Sequence, residues 1–457
     1  MSPITITALA IFAVTYILMM ALQKIRPYVT IGSAIIFVIL GTIASMNPAI
    51  FGEGFFALGD STFAYSAMDA LKEIDWNVIM MIAGTMGTVY LFIESKMPQL
   101  MSDVLISKMP NMKWIVVALS LFAGIVSAFV DNVATVLMIA PVALAFCKKM
   151  NISPVPSIIC IAVSSNLQGA ATLVGDTTSI LLAKAAGLDF SDFFVHDGHV
   201  GMFWVVQVGA VASALIIWFM FRKEKDKIRF DNRTIVEDKF PTFLLVGTVL
   251  ALIAVSFIPY KDTAAPGQFY KPDITNGIIC IAFFLVGVIR ELFIKKNKEI
   301  VKGAFKDIDY YTIALLTGLF VVIGGIKNAG VIDVIGDAIA KLGSGNPFVV
   351  YTIIVWMSVI LSAFIDNIPY TATMLSIVPV IATSADMNPM LLYYGLLCGA
   401  TLGGNLTPIG ASANIAGIGI LRKEGYEVKS TTFMKYGVPF TLAAVITGYI
   451  LIWFIWK

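Results

Sequence analysis

The chain has 457 residues, 58% hydrophobic and only 13% charged, where a soluble globular domain carries about a quarter charged residues. That deficit excludes an ordinary cytosolic enzyme, and a net charge of +2 leaves no basic surplus for nucleic acid. Cys147, Cys160, Cys280 and Cys398 lie in or beside apolar runs without a Cys-x-x-Cys pair, so neither a disulfide framework nor a zinc site is indicated.

A membrane crossing takes about 20 apolar residues. The first run, 4–22, lacks the basic start and cleavage site of a signal peptide and reads as a span. Runs at 30–48 and 77–94 follow. Residues 114–130 and 132–147 then form one paired unit, too long for a single span and interrupted by Asp131-Asn132. The run 156–183 has a Gly/Thr/Asn-rich middle that a continuous helix disfavours, and 201–221 follows it. Past the basic stretch 222–239 the order repeats: 240–258, 274–293, 309–326, a pair 348–365 and 368–385 around Asp366-Asn367, an interrupted run 390–420, and 436–456.

Basic residues accumulate in cytoplasmic loops. With the N-terminus outside, and each paired unit returning to its starting side, 24 of the 31 Lys and Arg residues face the cytoplasm. The exceptions are Lys72, Lys184, Lys261, Lys271, Lys327, Lys341 and Lys457. Charge does not separate a re-entrant hairpin from two full spans, but the short arms of the first unit and the polar bend favour re-entry. Both termini are then outside a multi-pass cell-membrane protein.

Ser127-Ala128-Phe129-Val130-Asp131-Asn132 recurs as Ser362-Ala363-Phe364-Ile365-Asp366-Asn367 at an offset of 235, which also superposes Gly175 on Gly410 and Thr172 on Thr407. Ile74-Asp75-Trp76 recurs as Ile308-Asp309-Tyr310 at 234. The expected fold is an all-α polytopic membrane protein built as an inverted repeat, each half having five spans plus a re-entrant hairpin, with broken helices. The first repeat covers 1–221, a cytoplasmic linker 222–239, and the second repeat 240–457. Five crossings is odd, so the halves are oppositely oriented, a pointer to a secondary transporter.

A carboxylate inside a bilayer costs about 2.5–3.5 kcal/mol on insertion scales, so Asp131 and Asp366 must line a cavity, meet a cation or carry a proton. Each Asp-Asn also suits a helix cap, and the two roles are compatible. The interrupted segments, Ser164 to Ser179 and Thr401 to Asn414, contain glycines and Pro408 that let the backbone unwind, exposing carbonyls to cations and N–H groups to anions. Small-residue helix packing would explain the glycines, but not Asn166, Asp176, Thr407 and Asn414 together.

Val126 to Thr135 and Gly404 to Asn414 resemble the ion transporter superfamily over nearly the whole chain, most of all its arsenite permeases and melanosomal P protein, with citrate carriers and divalent-anion/sodium symporters more distant. The resemblance implies a homodimer, a scaffold domain and a transport domain that moves like an elevator. It implies cation sites formed by Asp131, Asn132, Gly175, Asp366, Asn367 and Gly410, with Na+ as a possible coupling ion and no cofactor or other metal. Asn166, Thr172, Asp176, Thr177, Thr407, Ser412 and Asn414 would meet the substrate. Dicarboxylate carriers read Ser-Asn-Thr at each tip, whereas this chain reads Asp131-Asn132-Val133 and Asp366-Asn367-Ile368. The added carboxylates suit proton coupling or a tightly held sodium ion. Gly175-Asp176-Thr177-Thr178-Ser179 likewise departs from the family's Gly-Asp-Pro-Pro-Asn.

The expected function is secondary transport of a small anion or oxyacid, arsenite- or carboxylate-like, coupled to H+ or Na+. A Na+/H+ antiporter is the alternative. His196 and His199 lie in an acidic outer loop that reads as solvated or as a surface metal site. Without a catalytic constellation or a G-x-x-x-x-G-K-[ST] signature, the chain is not expected to be an enzyme or to use ATP directly.

Overall fold

The structure is a computed structural model that describes residues 1–59, 61–224, 234–261, 264–266, 268–343 and 345–457. The middle of the 222–239 linker therefore lies outside the described residues.

The first half contains α1 (Pro3–Ala21), α2 (Arg26–Met46), α3 (Ala67–Glu73), α4 (Trp76–Glu94), α5 (Met97–Lys108), α6 (Met112–Ser127), α7 (Asn132–Lys149), α8 (Val155–Gly169), α9 (Thr177–Ala186) and α10 (Met202–Met220). The second contains α11 (Phe240–Ser256), α12 (Thr275–Ile289), α13 (Lys298–Lys306), α14 (Tyr310–Asn328), α15 (Val331–Leu342), α16 (Pro347–Ser362), α17 (Asn367–Ser384), α18 (Pro389–Gly403), α19 (Ser412–Lys423) and α20 (Ser430–Trp456). From α4 to α9 each helix has a counterpart from α14 to α19 that starts 234 or 235 residues later. The Ile-Asp-aromatic repeat marks equivalent helix starts, because Asp75 and Asp309 cap α4 and α14 by accepting the N–H groups of Val78 and Thr312.

Eight helices among the described residues are long and apolar enough to cross a membrane, or nine if α15 and α16, which meet at a bend of 116°, count as one span. The expectation was ten crossings. Three expected spans drop out, since α8 with α9 and α18 with α19 are half-helices too short to span alone and α11 has 17 residues, while α7, expected as one arm of a re-entrant hairpin, is itself long and apolar enough to cross. Sequence reading also passed over α3, α5, α13 and α15, whose mixed faces do not make an apolar run.

The interrupted runs form the centre of the molecule. Residues 157–183 and 390–405 are buried throughout, their polar Ser164, Ser165, Asn166, Gln168, Thr401 and Asn405 included. Helices α6 and α10 pack on α8, and α16 and α20 on α18. In the other packing group, α4 crosses α12 and α2 crosses α14. At these crossings a Cβ on Gly84 would lie 2.6 Å from the Ile281 nitrogen, and one on Gly318 would lie 2.8 Å from the Ile31 nitrogen. Gly84 and Gly318 are repeat equivalents, so both halves use the same small-residue contact, the packing that holds helices together in lipid. Exposed Ile17, Ile35, Ile39, Leu250 and Ile278 give α1, α2, α11 and α12 an apolar outer surface.

Polar ties hold the loops. Thr234 donates from its nitrogen and hydroxyl to Asp103 on α5, at 2.8 and 2.7 Å. Asp238 meets Arg290 in two bonds of 2.7 and 3.1 Å and Lys295 at 2.9 Å. Burial alone would raise the Asp238 carboxyl, but the hydrogen bonds from Arg290, the Phe240 N–H and Lys295 outweigh it and hold it at about 2. Its stabilising charge is therefore present above the ordinary carboxylate range and is lost only as pH falls through about 2. Beyond the start of α4, Lys184 reaches Asp75 at 3.4 Å, and buried Lys271 donates to Asp189 at 2.6 Å.

Candidate functional site

Both Asp-Asn pairs stand at the bends between consecutive helices. Asp131 caps α7, its Oδ2 accepting the N–H groups of Val133 and Ala134 at 3.0 and 3.1 Å. Asp366 caps α17 through the Ile368 N–H at 3.2 Å, and its other oxygen accepts from Arg26 Nη1 at 2.9 Å. Equivalent positions therefore have unequal surroundings.

The interrupted runs break where the sequence predicted. Residues 170–176 separate α8 from α9, and 404–411 separate α18 from α19. Each break folds back on a hairpin bend in the same way. Thr172 donates its hydroxyl to the Ala128 carbonyl and Thr407 to that of Ala363. A Cβ on Gly175 would stand 2.6–2.9 Å from the carbonyl oxygens of Gly169, Ser127 and Ala128, and one on Gly410 would stand as close to those of Gly404, Ala363 and Ser362. Only glycine lets the break lie against three carbonyls. Asn414 donates to the Gly404 and Thr407 carbonyls at 3.1 and 3.2 Å, and its own Oδ1 is buried with no partner among the described residues. Carbonyl and amide oxygens are the donors that hard cations prefer, so this set suits Na+.

A cavity of about 330 Å³ joins the two halves. It is lined by Asp131, Asn132, Asp176, Thr177, Asn367 and Ser412 from the hairpins and breaks, by Asp307 at the end of α13 and Asp309 and Thr312 at the start of α14, and by Met86, Val89, Tyr90 and Ile93 of α4. Asp176 accepts from Thr178 at 2.8 Å and from Asn367 of the opposite half at 3.4 Å. Of the residues singled out from sequence, Asp131, Asn132, Asp176, Thr177, Asn367 and Ser412 meet at this cavity. Gly175, Thr172, Gly410, Thr407 and Asn414 lie in the hairpin–break contacts, Asp366 is held by Arg26, and Asn166 is buried between the halves.

Asn166 is a link in a chain of amides. It accepts from Asn132 at 2.9 Å and donates to the Thr401 carbonyl at 2.7 Å and to Asn405 Oδ1 at 3.2 Å, while Asn405 donates to the Val163 carbonyl at 2.9 Å. This tie fixes a hairpin tip of one half to the broken helix of the other. Asn405→Ala should remove two buried hydrogen bonds, to Asn166 and to the Val163 carbonyl, and cost about 1–3 kcal/mol. Thermal unfolding in detergent checks this, and an unchanged midpoint would remove the tie from the account.

Sequence reading did not select Asn405, Arg26, Asp307, Asp309 or Thr312. Arg26 was absorbed as a topology signal and Asp309 as a repeat marker. His196 Nδ1 donates to the Asp192 carboxylate at 3.1 Å, a contact that raises the imidazole above its ordinary value, and both histidines pack near Trp456. No group of three or more metal-ligating side chains occurs among the described residues. Cys398 is buried against Gly448.

Broken helices around an aspartate-bearing cavity in an all-helical membrane fold define a secondary transporter. The citrate transporter family (CitMHS) matches residues 17–396, and the chain belongs to that family, within the ion transporter superfamily. An uncharacterized transporter of Mycobacterium tuberculosis is 28% identical over 411 residues, spanning 88% of this chain and 90% of its own length. The human P protein is 25% identical over 452 residues; the match covers 84% of this chain but only 54% of P protein. The solved YdaH transporter of Alcanivorax borkumensis shares the fold at 13% identity, with a TM-score of 0.57 over 93% of this chain and 97% of its own.

Proposed function

We propose that this protein is an H+- or Na+-coupled carrier of a small anion or oxyacid, with citrate and arsenite as the first solutes to test. The observation that carries this reading is the charge of the cavity: Asp131, Asp176, Asp307 and Asp309 line it, and among the described residues no Lys or Arg does. An anion entering there is repelled unless protons or cations neutralise the carboxylates first, which makes cation loading a condition of solute binding. If Na+ is the ion, the carbonyls of Ser127, Ala128 and Gly169 would hold it in one half, and those of Ser362, Ala363 and Gly404 with Asn414 Oδ1 in the other.

The carrier reading includes an inverted repeat, 1–221 and 240–457, and an elevator motion. Supporting it are the matched element order and the two packing groups, one of hairpins and broken helices with α10 and α20, the other of α1, α2, α4, α11, α12 and α14. The cavity lies by the end of α4 and the start of α14, which positive-inside charge places on the cytoplasmic side, so this conformation is inward-facing with both termini outside. Dimerisation through the second group follows the superfamily pattern.

The same acidic cavity favours a second reading, a Na+/H+ antiporter. Proteoliposomes containing a pH dye and facing a Na+ gradient separate the two. Proton movement that requires citrate or arsenite supports the carrier, proton movement without solute supports the antiporter, and none under either condition overturns both.

A further inference from the structure

The two hairpin tips are equivalent in sequence and each aspartate caps its helix, yet among the described residues only one of the two aspartates has a salt bridge. Arg26 Nη1 stands 2.9 Å from Asp366 Oδ2, with the two side chains 10% and 17% exposed. The guanidinium is aimed by a second bond, from Nε to the Met19 carbonyl at 3.0 Å. Arg26 opens α2, which packs along α14 and α1. Beside the pair, Tyr16 of α1 donates to the Pro369 carbonyl at 2.7 Å and bonds the Thr373 hydroxyl on α17. Asp131 has no salt bridge among the described residues and faces the cavity.

We infer that Arg26 is a positioning residue for ion coupling: it latches the unloaded Asp366 to α2, so that the second hairpin is released only when a proton or cation occupies that carboxylate. The inference rests on the carrier reading, in which the hairpins move against α1, α2 and α14. A proton on Asp366 removes the charge that Arg26 holds, and a metal cation competes with the guanidinium for the same oxygen. Either exchanges one positive partner for another, so the half-buried carboxylate is never left bare, a state that its partly desolvated surroundings penalise. An unloaded carrier is therefore held back from crossing and dissipating the gradient.

The test uses the full chain with a cysteine introduced at Leu137, a cavity-lining residue on α7 that is 50% exposed; the four native cysteines are all buried. Its labelling by a membrane-impermeant maleimide is followed in opened vesicles without solute or gradient. Arg26→Gln should slow labelling by at least about threefold as the population moves away from this conformation, and Asp366→Asn should do the same from the other partner. Arg26→Lys should restore the parent rate. Detergent-extracted protein that elutes as a single species confirms folding, and should either variant fail that check the other still decides. Unchanged labelling in a folded Arg26→Gln or Asp366→Asn protein would overturn the latch. Because this readout needs no transport, it can fail while the carrier reading stands. Absent flux in the parent protein would sink the carrier reading without touching the labelling result.

Discussion

Asp131→Asn is expected to reduce gradient-driven uptake by about ten- to a hundredfold while leaving the protein folded and inserted. A charge-assisted contact contributes about 1.5–3 kcal/mol, and each 1.4 kcal/mol is about a factor of ten. Asparagine caps helices about as well as aspartate, so the substitution keeps an oxygen for the Val133 and Ala134 N–H groups. It removes only the negative charge at the cavity wall. Initial uptake rates and thermal midpoints, measured on one preparation, separate the two roles. Full uptake in the variant would mean that this carboxylate caps α7 and nothing more.

Gly410→Ala should abolish measurable transport and lower stability by about 1–3 kcal/mol, the usual cost of overpacking. The added methyl would meet three backbone oxygens at 2.6–2.9 Å, and none of them can rotate away as a side chain can. Relief requires the break to lift from the hairpin bend, which separates the carbonyls of Ser362, Ala363 and Gly404. Gly419→Ala is the control, since that position on α19 has nothing within 4 Å of an added Cβ. There the change should be neutral or mildly stabilising, because alanine is the better helix former. Matching behaviour of the two variants would show that the close approach at Gly410 is not required.

The hairpin tips were legible because their chemistry is local. A carboxylate inside an apolar run stands out wherever the chain later takes it, and the constant offset to Asp366 doubles the signal. The breaks were legible for a similar reason, since glycine, threonine and asparagine within 156–183 and 390–420 oppose a continuous helix. The Asn166–Asn405 tie was not, because its partners are 239 residues apart and belong to non-equivalent positions of the two repeats. Arg26 was counted only as a topology signal, which concealed its partner 340 residues away. Asp309 stood in the sequence only as a repeat marker; its cap on α14 and its place beside the opposite half's hairpin, which makes it part of the cavity wall, come from the structure.

By itself the sequence determined that this chain belongs in a membrane, that its halves repeat, and that four polar tip residues and two glycine-centred breaks interrupt the apolar runs. Composition and spacing suffice for these, since lipid penalises each polar group and each exposed backbone amide independently of the rest of the fold. Which oxygen meets which donor, and which of two identical aspartates is held by an arginine, depends on contacts between distant segments. Those contacts come from the packing of one half against the other, and they decide the charge of the cavity.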